Sequence, residues 1–197
     1  MSEKLYLTAQ DLLEDAFRLG AQVIKSGFEP SFITAIWRGG APIGIAVQEI
    51  IEYHGVRCDH ISIRTSSYSG IDGRADTVHV YGMNYLIKNI THDDRLLIVD
   101  DVFDTGRTIA TVIAELHAKT RLNCPKEIRV AVPYYKPSRN QTDRVPDYYL
   151  HETERWLKFP HSLEGLTADE IAANRPDLGA ILAEVRPISN TCGCAST

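Results

Sequence analysis

The sequence predicts an α/β fold: a central, mostly parallel sheet flanked by helices on both faces. Three observations carry this. Short aliphatic runs alternate along the chain with stretches of helical period. Two of these runs, Phe32–Ile36 and Arg95–Val99, have the length and apolar character of buried strands. Each passes through a short turn of small or hydroxyl residues straight into a helical segment, as in a strand–turn–helix unit.

The elements follow in order. Thr8 is placed to cap a helix reaching Lys25, in which Leu12, Leu13, Ala16, Leu19, Val23 and Ile24 recur at helical spacing. Phe32–Ile36 is the first strand. The glycines after it mark a turn, and Pro42 suits the first turn of a helix that runs to Tyr53. His60–Ile63 is a second strand. Residues 65–78, TSSYSGIDGRADTV, are rich in Ser, Gly and Asp without apolar period and read as a long loop, of the kind that tends to be either a functional lid or disordered. Arg95–Val99 is the third strand, and Thr108–Ala118 the next helix, with Ile109, Val112, Ile113 and Leu116 on one face. Ile128–Val132 and Tyr148–Leu150 are further strands, separated by the polar stretch KPSRNQTDRVP. Helices near Thr167–Ala173 and Asp177–Val185 precede a tail, NTCGCAST. The expected organisation is one domain over residues 1–161 and a helical extension with a flexible tail over 162–197.

Composition narrows the function. The chain has 197 residues, 44% of them hydrophobic, enough for one domain with a core. Twenty-one Lys and Arg against 26 Asp and Glu give a net charge of −5, and the absence of a basic stripe argues against nucleic acid as a partner. The N-terminus is polar and acidic, unlike a signal peptide, and no stretch approaches the ~18 apolar residues of a membrane span. The longest candidate, Phe32–Ile51, is broken by Arg38, glycines and Glu49. Only Cys192 and Cys194 among the four cysteines are close, and two thiolates do not complete a metal site. A reduced, cytoplasmic protein is expected.

The chemistry concentrates in LLIVDDVFDTGRT, Leu96–Thr108. In a parallel sheet, ligands bind at the carboxyl ends of strands, and Asp100 and Asp101 stand there. The turn Asp104–Thr108 opens a helix, whose free N–H groups and positive dipole end suit phosphate. Thr105 and Thr108 add hydroxyls, and Gly106 lets backbone approach the anion. Carboxylates beside it would repel a bare phosphate. The combination fits a ligand with phosphate at one end and hydroxyls or Mg²⁺ at the other, such as a ribose 5-phosphate.

VDDVFDTGRT resembles the phosphoribosyl-diphosphate (PRPP) signature of type I phosphoribosyltransferases. It is not the nucleotide-triphosphate P-loop, because the first glycine and the lysine of that motif are absent. The resemblance spans roughly residues 30–161 and implies the type I phosphoribosyltransferase fold, with a small hood region over the sheet. It also implies PRPP binding by Asp100, Asp101, Thr105, Gly106, Arg107 and Thr108, with Asp100 and Asp101 meeting Mg²⁺ through ribose hydroxyls or water. Asp104 is implied as general base, or as electrostatic partner of charge developing at C1. WRGG, Trp37–Gly40, resembles the family's pyrophosphate loop, often built on a non-proline cis peptide, and adds Arg38 and Gly39. SSYSG, Ser66–Gly70, resembles the loop that closes over the diphosphate and adds Ser67 and Tyr68. Arg107 stands where glycine or lysine is frequent, and the stretches Thr120–Pro125 and Ser138–Arg144 have no evident counterpart in short members.

YYKPSR and the later RWLKFPH are similar to the 6-oxopurine branch, the hypoxanthine and xanthine–guanine phosphoribosyltransferases. That similarity implies that Lys136 donates to the purine O6, that Trp156 stacks on the ring, and that main chain near Leu157 meets the base edge. Adenine carries an amine where O6 would be, and an ammonium cannot accept from it. The implied activity is pentosyl transfer in purine salvage by a homo-dimer or tetramer: PRPP and a 6-oxopurine give a nucleoside 5-monophosphate and pyrophosphate. The sequence leaves two alternatives, a phosphoribosyltransferase for adenine or a pyrimidine, and a regulator that senses PRPP or a nucleotide on the same fold.

Overall fold

The computed structural model describes residues 4–68 and 77–185, with the side chains of residues 67, 68 and 77 outside that description. The chain divides into two compact units, one ending at His161 and one beginning at Ser162.

In the first unit, local signals set the helices and a period of two sorts the strands. The Thr8 hydroxyl accepts from the Asp11 N–H at 3.0 Å and starts α1 (Ala9–Lys25). Its buried stripe, Leu12, Ala16, Leu19 and Val23, packs with Ile43, Val47 and Ile51 of α2 (Gly40–Tyr53) on one face of the sheet. The strands β2 (Phe32–Trp37) and β5 (Arg95–Val99) send Ile33, Leu97 and Val99 to that side. Their alternate residues Phe32, Ile36, Leu96 and Ile98 face the opposite core. There α3 (Asn84–Asn89) and α4 (Arg107–Thr120) contribute Leu86, Ile109, Val112 and Leu116.

The sheet runs β4 (Thr77–Tyr81), β3 (Asp59–Tyr68), β2, β5, β7 (Glu127–Tyr135). A two-residue strand, β6 (Val102–Phe103), continues beyond β5 along β7, and β8 (Tyr148–Glu152) takes the other edge of β7. Every pairing is parallel except β3 with β4. All the parallel strands therefore end at one edge. A second, two-stranded sheet pairs β1 (Lys4–Tyr6) with β9 (Trp156–Lys158).

Several sequence expectations are corrected. Residues 65–78 are not all loop: β3 runs on to Tyr68 and β4 begins at Thr77, with Thr65 opposite Val80 and Ser67 opposite Val78. An edge hairpin tolerates polar residues on its solvent side, which hides its period of two. Residues 69–76, including Ser69 and Gly70 of the SSYSG motif, lie outside the described residues. β7 continues past Pro133 to Tyr135, because Pro133 lies in the gap between the β5 and β6 pairings and outside the β8 register, where no ladder N–H is required. β1 and α3 were not foreseen; each is too short to carry a period.

In the second unit, α5 (Ala168–Asn174) starts with a capping box between Thr167 and Glu170, and α6 (Pro176–Glu184) packs on it. Cys192 and Cys194 lie outside the described residues.

Candidate active site

Strand register assembles the site. Ala35 pairs with Val99, so the residues that follow on each strand, the Trp37–Gly40 turn and Asp100–Asp101, leave the sheet side by side. Phe103 pairs with Tyr135, and Lys136 N–H donates to the Phe103 carbonyl at 3.0 Å, so Asp104 and Lys136 emerge together. Tyr135 also pairs with Glu152, and Thr153 N–H donates to the Tyr135 carbonyl at 3.0 Å, which brings the chain toward Trp156 past the same edge.

The two glycines of WRGG are there for closeness. A Cβ on Gly39 would overlap the Asp101 carboxylate; one on Gly40 would come within 2.6 Å of the Val99 carbonyl oxygen and 2.8 Å of the Asp100 Cα. The turn thus lies directly on the acidic pair. The Trp37–Arg38 peptide is cis.

Asp100, Asp101, Asp104, Thr105, Gly106 and Thr108 line one cleft of about 220 Å³. Gly106 precedes α4 at φ 76°, a left-handed conformation suited to glycine, and no side chain caps the helix. Arg107 N–H makes only a long bond, 3.4 Å, to Thr105 Oγ1, and an uncapped helix start of this kind suits an anion. A Cβ on Gly106 would meet Thr142 Oγ1 at 2.6 Å and Asn140 Oδ1 at 2.9 Å, and Gln141 N–H donates to the Thr105 carbonyl at 3.0 Å. The stretch 138–144, without evident counterpart in short members, is therefore a brace packed on the Asp104–Thr108 turn.

Asp104 is flanked by two cations. Lys136 Nζ lies 3.5 Å from Oδ2, and Arg139 Nε lies 2.5 Å from Oδ1. Lys136 is only 6% exposed, not a solvent lysine. Arg139 belongs to a 3₁₀ turn, Pro137–Arg139, in which Ser138 N–H donates to Glu154 Oε1 at 3.2 Å.

Trp156 is 53% exposed, so it is not core packing; Lys158 Nζ lies 5.4 Å from its ring centre. Leu157 buries its side chain in the core. In the β1–β9 ladder, Trp156 pairs with Lys4 and Lys158 with Tyr6, and Leu7 N–H donates to the Lys158 carbonyl at 3.0 Å. By the alternation of a parallel ladder, the N–H and C=O of Leu157 point to the opposite edge, away from β1. Trp156 and Leu157 come from this second sheet, while the rest of the candidate residues come from the first. Ser67 and Tyr68 end β3; their side chains lie outside the described residues.

The acidic pair is electrostatically uncomfortable. Burial, then the neighbouring Asp101 charge, push the Asp100 carboxyl well above the ordinary carboxylate range. Burial pushes Asp101 up from 3.8 to about 6. Two adjacent hard oxygen donors in this condition fit Mg²⁺, which takes one or two protein carboxylates and completes its sphere with ligand oxygens and water. Among the described residues no group of three or more His, Cys, Asp or Glu could hold a metal by itself. Sequence reading missed Gly40, Arg139, Asn140, Thr142 and Glu154. Only Gly40, inside WRGG, and Arg139, three residues after Lys136, carried a signal there.

Residues 4–170 match the phosphoribosyl transferase domain, and the chain belongs to that family. Within it, the fold is that of the type I phosphoribosyltransferases. The chain is similar to the structure of a purine phosphoribosyltransferase from Pyrococcus horikoshii Ot3, at 28% identity over 83% of this chain and 97% of that one, with a TM-score of 0.66. The fold is shared by a Neisseria gonorrhoeae protein with bound ppGpp, at 19% identity over 93% of this chain and 97% of that one, TM-score 0.69. It is shared too by the Helicobacter pylori xanthine-guanine-hypoxanthine phosphoribosyltransferase, at 18% identity over 92% and 99%, TM-score 0.61. No curated protein matches the chain. Among the described residues no helix is long and apolar enough to cross a membrane.

Proposed function

We propose that this phosphoribosyltransferase salvages purines by joining a 6-oxopurine to PRPP, with release of pyrophosphate. One observation carries the choice of base: a buried ammonium, Lys136, stands 3.5 Å from a carboxylate, Asp104. A 6-oxopurine with its proton on N7 presents an acceptor, O6, next to a donor, N7–H. Lys136 donates to the first and Asp104 accepts from the second. Adenine would set an amine against the ammonium, an unpaired donor that a buried polar site rejects strongly.

The remaining residues then take roles. Trp156 offers its exposed ring to the base plane, and the Leu157 N–H and C=O are a donor and acceptor pair for the base edge. Asp100 and Asp101 accept from the ribose 2- and 3-hydroxyls. The α4 N-terminus, with Thr105, Gly106, Arg107 and Thr108, holds the 5-phosphate. Arg38 and Gly39, with Ser67 and Tyr68 from the β3 end, serve the diphosphate. In the reaction, N9 bonds to C1 of the ribose as the C1–pyrophosphate bond breaks, and the N7 proton leaves toward Asp104. Mg²⁺, held at Asp100 and Asp101, would neutralise charge on the leaving pyrophosphate.

The test is product formation from PRPP and Mg²⁺ with hypoxanthine, guanine, xanthine, adenine and uracil. Turnover of at least one 6-oxopurine above adenine and uracil is expected. Preference for adenine or uracil would remove the base assignment; PRPP binding without turnover of any base would favour the regulator.

A further inference from the structure

The base reading uses Lys136 and Asp104 and leaves the second cation on Asp104 unexplained. We propose that Arg139 is a positioning residue: it fixes the Asp104 carboxylate in the orientation that meets the purine N7, and sets turnover without touching substrate. This rests on the 6-oxopurine reading above. With Lys136 alone, the carboxylate could rotate about its Cβ–Cγ bond and turn either oxygen to the ligand. With Lys136 on Oδ2 and Arg139 on Oδ1, its plane is fixed.

The Arg139 contact is ionic rather than an aligned hydrogen bond. Among the described residues no hydrogen bond reaches Asp104 Oδ1, although the atom is buried. Arg139 therefore holds the buried oxygen, and the accessible part of this partly exposed side chain lies elsewhere on it. Nor is the pair explained by stability, since its side chains are 50% and 32% exposed, and ion pairs that wet contribute little. The arginine is itself anchored. Its N–H donates to the Lys136 carbonyl at 3.1 Å, Ser138 N–H to Glu154 at 3.2 Å, and Gln141 N–H to the Thr105 carbonyl at 3.0 Å. The turn that carries Arg139 is thus tied to the residue after Asp104 and to the segment leading to Trp156.

The experiment is a double-mutant cycle with hypoxanthine, guanine and xanthine, read as steady-state and single-turnover rates. Arg139→Met keeps the aliphatic stem and removes the charge. It is expected to lower kcat by about 10- to 100-fold, the scale of a small displacement of a catalytic group, with KM for PRPP changed by no more than about twofold. Arg139→Lys should recover most of the loss. In an Asp104→Asn background, Arg139→Met should cost no more than about threefold, because the group it positions is gone. Arg139 half exposed on a surface turn should not be needed for folding, and melting curves of each variant check this. An equal loss in both backgrounds, an unchanged kcat, or a raised KM for PRPP would overturn the inference while the base reading stands. A wild-type protein inert toward all three 6-oxopurines would overturn both.

Discussion

Replacing Asp101 by Asn should make the ligand-free protein more stable and less able to bind PRPP. In the folded chain the Asp101 carboxyl is pushed from 3.8 to about 6, a little over two pH units. Below 3.8 both folded and unfolded chains hold the proton, and the site costs nothing. Between 3.8 and about 6 the native state keeps a proton that the unfolded chain has released, so native stability falls as pH rises through this window. Above about 6 the full cost remains. At 1.36 kcal/mol per pH unit, it is about 3 kcal/mol at pH 7.5 and only a small fraction of that at pH 4. The asparagine keeps the side chain's size and its carbonyl acceptor without the charge. Urea unfolding in EDTA should therefore show a gain approaching about 3 kcal/mol at pH 7.5, or some 6–12 °C in Tm for a chain of this length, and almost none at pH 4. Saturating Mg²⁺ and PRPP should reverse the order: at 100-fold over its Kd a ligand adds about 2.7 kcal/mol to the wild type, and the variant should gain far less. No gain at pH 7.5, or the same gain at pH 4, would refute the reasoning that burial strains this carboxylate.

Three further outcomes are expected. Asp104→Asn should lower kcat by ~10²–10⁴-fold with PRPP affinity little changed, measured by isothermal titration and steady-state rates. Gly39→Ala must displace either the turn or the Asp101 carboxylate that its Cβ would overlap, so pyrophosphate affinity, read by titration, should fall while the melting temperature holds. Lys136→Ala should cost a 6-oxopurine ~1.5–3 kcal/mol in kcat/KM and adenine little, whereas Trp156→Leu should cost every purine alike, ~1–3 kcal/mol, from lost stacking.

What could be read from the sequence was what recurs locally. The helix from Thr8 to Lys25 was legible because a cap and a four-turn apolar stripe coincide, and the central strands because they are apolar throughout. The acidic strand end and phosphate turn were legible because all their residues lie within Asp100–Thr108. The brace over that turn was not. Asn140, Gln141 and Thr142 are ordinary loop residues, and only the fold sets them on Gly106, more than thirty positions earlier. Arg139 escaped for the same reason: its partner Asp104 is brought close by the β6–β7 register, a two-residue pairing that no pattern announces. The hairpin at 65–81 was missed because an edge pair needs backbone partners more than apolar side chains.

The site holds carboxylates in two opposite conditions, and this separates their roles more sharply than position along the motif does. Asp100 and Asp101 are pressed together and pushed toward protonation by burial. Their discomfort would be relieved by whatever brings positive charge or hydroxyl donors, as a metal-bound ribose does. Asp104, four residues on, has a lysine on one oxygen and an arginine on the other. It needs no incoming cation, and a second phosphate-side metal would find its charge already answered. What remains accessible of this partly exposed side chain can still accept a hydrogen bond from a neutral N–H. A site that met the base through Asp100 or Asp101 would have to give up the ribose to do so. On the proposed reading, the buried pair serves the sugar and its leaving group, and the aspartate held between Lys136 and Arg139 serves the base.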